Sequence, residues 1–145
     1  MNRKQVGIIA EQVVVCDLLR QGYEVFTSVS DNSRVDVVPL NKKTGRIAKI
    51  QVKSTSTLTS NDSITFRIKK AGYFNYSYTE KDIDYFAFVY APRNEVVYVK
   101  YKQLKTESTM TFRFNEIKSK NIREKILKNS PEENKDFFVV PKVVE

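Results

Sequence analysis

Two short runs, "RVDVV" from Arg34 to Val38 and "AKIQVKS" from Ala48 to Ser54, carry an acid, an amide and an amine among aliphatic residues. Alternation along an extended chain puts Gln51 and Lys53 on one face, opposite Ile50 and Val52, and puts Asp36 on the face of Val38. Upstream, Glu11 falls among Ile8, Val15 and Leu18 at helical spacing, where a buried carboxylate is costly unless it is paired or meets a cation. If the two strands pair, two carboxylates, one amide oxygen and one amine converge. Hard oxygen ligands of this kind suit Mg²⁺, with Mn²⁺ as its substitute, and leave room for waters and a substrate phosphate. Asp36 is then the central ligand, Glu11 a direct or water-mediated second and Gln51 a neutral third through its amide oxygen. Lys53 would position or activate the attacking water. Phosphodiester hydrolysis is the chemistry that fits this set. The same residues also have simpler uses: Asp36 in a turn or an ion pair with Arg34 or Arg46, Lys53 as a solvated strand residue, Glu11 at the edge of the apolar face.

The elements that must position these groups are legible from periodicity. Val6 to Gln21 reads as a helix with Ile8, Glu11, Val15 and Leu18 on one face, broadened by Val14 and Leu19, and Gly22 stands where a left-handed cap would end it. Strands are predicted at Tyr23 to Val29, Arg34 to Leu40 and Arg46 to Ser54, the last two joined as a hairpin by "NKKTG". Ser63 to Lys69 alternates and reads as a half-exposed strand. Asp84 to Ala91 is apolar throughout and reads as a strand central in a sheet, turned by "PRNE" into Val96 to Tyr101. Tyr73, Tyr76 and Tyr78 lie in a segment with neither period, and read as displayed. Met110 to Phe114 is a short strand, Asn121 to Asn129 a helix, and Phe137 to Val143 an apolar tail that docks on the body or on another copy of the chain. A helix, a mixed or antiparallel sheet and closing helices make one layered α/β domain spanning residues 1–145.

Composition narrows the chemistry further. The 145 residues include no histidine and one cysteine, Cys16, which excludes histidine-based triads, an intrachain disulfide and a thiolate cluster for zinc. The net charge of +8, from 25 Lys and Arg against 17 Asp and Glu, favours a polyanionic partner, although a basic solvated surface gives the same count. Glu11 and Asp17 interrupt the basic, then apolar N-terminus before it could act as a signal peptide or membrane span, so a cytoplasmic or nucleoid-associated location is expected.

Glu11 on a first helix, "DNSRVD" with Asp36, and "QVK" from Gln51 to Lys53 together resemble the PD-(D/E)XK nuclease superfamily, which includes restriction enzymes and archaeal Holliday junction resolvases. Through "GIIAEQVVVCDLLRQGYEV" and "IQVKST" the chain is similar to the homing endonucleases encoded in bacterial group I introns, whose final motif also carries Gln. The pattern covers about Gly7 to Thr55, and "DIDYFAFVY" and "EVVYVKY" are similar to its closing strands. Val35 stands where the superfamily often has proline. The resemblance implies a restriction-endonuclease-like core, a mixed β-sheet flanked by helices, and Mg²⁺-dependent cleavage of a specific site in double-stranded DNA. It also implies a homo-oligomer, a dimer or tetramer, which would match one active site to each strand.

Base reading must come from elsewhere: Arg67, Lys69, Lys70, Tyr73, Asn75 and Tyr76 are the candidate DNA contacts. Alternatives are a Holliday junction resolvase or restriction-like nuclease, a non-catalytic DNA-binding module in which Gln51 marks a lost acid, and an interaction protein using the tyrosines and the apolar tail.

Overall fold

The computed structural model describes residues 1–59, 61–69, 77–104 and 109–113. The first helix, α1 (Arg3–Arg20), begins earlier than the Val6 expected from its apolar spacing. Asn2 is the reason: its side chain accepts from the Gln5 amide at 2.9 Å while Gln5 Oε1 accepts from the Asn2 amide at 3.0 Å, which satisfies two end-of-helix donors reciprocally. Gly22, at φ +90°, ends the helix as expected. The amides of Gly22 and Tyr23 bond back to the Leu19 and Leu18 carbonyls at 3.0 and 3.1 Å, a geometry that glycine adopts without a Cβ penalty.

The buried stripe of α1 is Ala10, Val14, Asp17 and Leu18. This is rotated from the predicted stripe: Ile8 and Leu19 are 50% and 54% exposed, and Glu11 is half-buried at its edge. Packing chose the small Ala10 and Val14 for close approach to the sheet, and a hydrogen-bonded Asp17 replaced an apolar residue. Its Oδ2 accepts from Tyr98 Oη at 2.6 Å and from Gln21 Nε2 at 2.7 Å. Burial, and secondarily the nearby Tyr23 phenol, pushes the Tyr98 hydroxyl far above its ordinary range, so it remains a donor. Tyr98→Phe removes that donor from a carboxylate only 2% exposed, and is expected to cost about 1–3 kcal/mol. Urea unfolding of the two proteins measures this directly; an unchanged midpoint would deny the tie between helix and sheet.

Seven strands follow among the described residues: β1 (Glu24–Thr27), β2 (Val37–Leu40), β3 (Ile50–Thr55), β4 (Ser63–Arg67), β5 (Tyr85–Tyr90), β6 (Glu95–Lys100) and β7 (Thr109–Arg113). Five form a mixed sheet in the order β1-β2-β3-β5-β6, with β3 and β5 parallel and the other pairs antiparallel. All six residues of β5 are buried because both its faces are covered. Tyr85, Ala87 and Val89 pack under α1, while Phe86, Phe88 and Tyr90 pack with Ile64, Phe66, Met110 and Phe112 of a second, two-stranded sheet, β4–β7. That explains its continuous apolar run. The expected alternation of β4 holds, with Ile64 and Phe66 turned inward. Both expected hairpins form, β2 with β3 and β5 with β6. The face of the sheet opposite α1 is thus covered by strands among the described residues, whereas the helix expected at Asn121 to Asn129 and the tail from Phe137 to Val143 lie outside them. No described helix is long and apolar enough to cross a membrane.

The predicted strand from Arg34 to Leu40 is shorter than expected, because Ser33 competes for the backbone. Its Oγ donates to the Val35 carbonyl at 2.6 Å and accepts from the Val35 amide at 3.1 Å, holding a turn where a ladder would otherwise start. Val35 therefore packs toward β4–β7 while Val37 packs under α1, so strict strand alternation does not run through Asp36.

Candidate active site

The strands β2 and β3 share one paired position, Val37 with Ile50. Beside it the Asp36 amide bonds the Ile50 carbonyl at 2.9 Å, and then the two chains part. From there to Thr55, β3 is paired along its other edge, with β5. At this fork the Asp36 carboxylate takes the place of a neighbouring strand. Its Oδ2 accepts from the Val52 amide at 2.7 Å and from Gln51 Nε2 at 2.6 Å. Asp36 was expected inside the strand; it stands just before it, and this lets its side chain turn along β3.

The contact with Asp36 orients the Gln51 amide, since an oxygen facing the carboxylate would be repelled. The nitrogen faces Asp36, with a longer contact to the Val52 carbonyl at 3.4 Å, and Oε1 is left buried with no hydrogen-bond partner among the described residues. A buried acceptor in that state costs about 1–3 kcal/mol, so a ligand that used it would recover stability. Glu11 reaches the same neighbourhood from α1. Burial raises its carboxyl above the ordinary value of 4.5, and the charges of Asp36 and then Asp31 raise it further. Like charges gathered at a partly buried place are what a cation relieves. Among the described residues no three His, Cys, Asp or Glu side chains form a ligand cluster; the oxygen-bearing side chains at this place are Asp36, Glu11 and the neutral Gln51.

The Glu11 shift has a sign that can be tested. A raised carboxyl means that the folded chain holds the ionised form less well than the unfolded chain does. The penalty is fully present above the raised value and disappears as the pH falls below 4.5. Glu11→Gln is therefore expected to raise the metal-free melting temperature at neutral pH, by roughly 2–4 °C per kcal/mol relieved, and to leave it unchanged at pH 4. Scanning calorimetry at the two pH values checks it; a lower melting temperature at neutral pH would mean that the ionised Glu11 stabilises the fold.

Register places Gln51 beside Phe86 and Lys53 beside Phe88, so both side chains are on the face away from α1, as the strand period required. The Lys53 ammonium donates to Tyr78 Oη at 3.1 Å and lies 4.9 Å from the centre of that ring. Tyr78, expected on display, is 5% exposed. Its ring meets Phe86 edge-on at 5.4 Å, and its carbonyl accepts from Tyr101 Oη at 2.8 Å. Next along the chain, Asp82 accepts from the Thr79 amide at 2.8 Å and Thr79 Oγ1 at 3.0 Å, and its other oxygen pairs with Arg34 at 2.7 Å. The Arg34 hydrogen bond is the main cause that holds the Asp82 carboxyl below its ordinary value. One carboxylate thereby ties the loop carrying Tyr78 to the loop carrying Asp36.

Sequence reasoning missed Tyr78, Asp82 and Asp31. Only Asp82 had a local signal, the spacing of "TEKD", in which an acid can cap the turn behind it. Arg67, on β4, is exposed and Lys69, just beyond it, is half-buried; both belong to the second layer. Lys70, Tyr73, Asn75 and Tyr76 lie outside the described residues.

Comparison with known proteins places this geometry. Over 39 residues the chain is 69% identical to one component of the aspartyl/glutamyl-tRNA(Asn/Gln) amidotransferase of Pelagibacter ubique (strain HTCC1062), a match that spans 27% of this chain and 41% of that protein. The fold is similar to that of a bacterial homing endonuclease, I-Ssp6803I, with a TM-score of 0.60, 17% identity, and coverage of 77% of this chain and 75% of that one. The family model of the PD-(D/E)XK endonucleases matches residues 1–140. With nearly its whole length matched, and its helix and mixed sheet arranged as in a restriction-endonuclease-like fold, the chain belongs to the PD-(D/E)XK endonuclease family.

Proposed function

We propose that this protein is a metal-dependent, site-specific endonuclease of double-stranded DNA that acts as a homing endonuclease. The observation that carries the reading is the fork at Asp36, where Gln51 presents a buried oxygen with no partner among the described residues beside the Asp36 carboxylate, whose charge raises the Glu11 carboxyl. Asp36, Gln51 and Glu11 would hold a divalent ion, Mg²⁺ or in its place Mn²⁺, which when bound polarises the scissile phosphate and lowers the pKa of a water. Asp36 is fixed for this by two hydrogen bonds to β3. Glu11 adds a second negative charge, and Gln51 a neutral donor that spares the site a third. Lys53, one step along the same face, orients the attacking water or neutralises the charge that develops on the phosphorane oxygens. Arg67 and Lys69, with Lys70, Tyr73, Asn75 and Tyr76, are proposed to contact the DNA, and the net charge of +8 supplies attraction for its phosphates. One site per chain against two strands favours a homo-oligomer, a dimer or tetramer.

Incubation of the protein with a randomised duplex library tests this. Cut fragments with 5′-phosphate ends, enriched in one sequence and abolished by EDTA, are expected. Tight, salt-sensitive binding with no cleavage in either Mg²⁺ or Mn²⁺ would establish a DNA-binding module instead. Preference for four-way junctions over linear duplex would establish a resolvase.

A further inference from the structure

We propose that Tyr78 is a positioning residue that holds Lys53 for the reaction, an inference that rests on the nuclease reading above. A lysine side chain has about 2 kcal/mol of rotamer entropy, and an ammonium that swings through its rotamers is a poor partner for a charge that develops at one point. Here the amine is anchored on the hydroxyl of one buried side chain. The Tyr78 hydroxyl accepts from Nζ at 3.1 Å, and this bond sets Nζ 4.9 Å from the centre of the ring, beyond its hydroxyl end.

The holder is itself immobilised. Tyr78 is 5% exposed, its ring is set edge-on against Phe86 at 87°, and its carbonyl is bonded by Tyr101. Phe86 is the register partner of Gln51 on β3, so the ring that fixes Tyr78 sits beside the amide that touches Asp36. The following Thr79 is tied through Asp82 to Arg34, two residues before Asp36. The loop that carries Tyr78 is therefore tied to the fork that carries Asp36 and Gln51, and Lys53 contacts that loop. A purely structural tyrosine would need a partner for its buried hydroxyl, yet any neutral acceptor or donor would serve. An ammonium two residues from Gln51 on the same face is the partner that a reaction centre has reason to use.

Two measurements test the role. In the first, cleavage of the selected duplex is followed for the wild type, Tyr78→Phe, Lys53→Ala and the double variant. Tyr78→Phe keeps the ring and its contact with Phe86. It is expected to lower kcat about tenfold, with KM within about twofold and the melting temperature unchanged, while in the Lys53→Ala background it lowers kcat no further. Wild-type kcat for Tyr78→Phe, or the same loss with and without Lys53, would overturn the proposal while leaving the nuclease reading intact. Failure of the wild type to cut any duplex overturns the nuclease reading and this role together. The second measurement does not depend on cleavage or on the folding of a variant: ¹⁵N-lysine NMR of the wild-type protein, with Lys53 assigned. Its ammonium is expected to show restricted motion compared with the exposed Lys42 and Lys43, and an equally mobile Lys53 would sink the proposal.

Discussion

Cleavage by Asp36→Asn is expected to fall by about 10³-fold or more, near 4 kcal/mol of activation free energy at 1.36 kcal/mol per decade. The substitution is almost isosteric, and that is its value. The asparagine Oδ1 inherits both bonds now made by Asp36 Oδ2, from the Val52 amide and from Gln51 Nε2, so the fork at β2 and β3 stays closed. Only the charge and the second carboxylate oxygen are lost. A melting temperature that does not fall, and rises slightly as the charge opposing Glu11 is removed, should therefore appear together with loss of divalent-ion binding by calorimetry and loss of cutting. Asp36→Ala differs in a predictable way: it also strips the Val52 amide of its acceptor and should lower the melting temperature. Retained cleavage by Asp36→Asn would remove the proposed site altogether.

Phe88→Ala is expected to have the largest effect on stability, about 3–5 kcal/mol, because a buried aromatic leaves a cavity that a packed core closes only in part. Its ring lies 4.9 Å from Phe66, 5.5 Å from Phe112 and 5.6 Å from Phe86, and with Phe86 and Tyr90 it joins the main sheet to β4–β7. Against a typical total of about 5–15 kcal/mol, a loss of that size removes a third or more of the stability of many domains. Urea denaturation at constant m-value would measure it. Phe88 is also the register partner of Lys53, so activity should fall in proportion to the unfolded fraction and further through displacement of the amine. Phe26 on β1, 51% exposed, provides the contrast, and its replacement by alanine should cost well under 1 kcal/mol.

Much of the frame follows from patterns confined to a few residues. Gly22 ends α1 because a left-handed cap is a local demand, met by the residue type alone. Gln51 and Lys53 share a face because the side-chain period of a strand is two, whatever lies around it. The unbroken apolar run of β5 implied cover on both faces, and the alternation of β4 implied cover on one. The first-helix acid, the lone aspartate and the "QVK" run, taken together, pointed to the family that the whole-chain match then established.

Other features were beyond the reach of local pattern. The helix turned Ala10 and Asp17 inward in place of Ile8 and Leu19, because close approach to the sheet and a bond from Tyr98, far along the chain, outweighed hydropathy. Ser33 withdrew Asp36 from its strand, and Tyr78 went from a displayed position to a core one when β5 supplied Phe86 and Lys53 needed an acceptor. The sequence alone determined which side chains share an element and a face, since those relations depend on backbone period and on neighbours within a turn. Tertiary structure decided which faces meet, where a strand gives way to a carboxylate and which aromatic ring steadies the lysine, because each of these is settled by competition for the same buried space among segments distant in the chain.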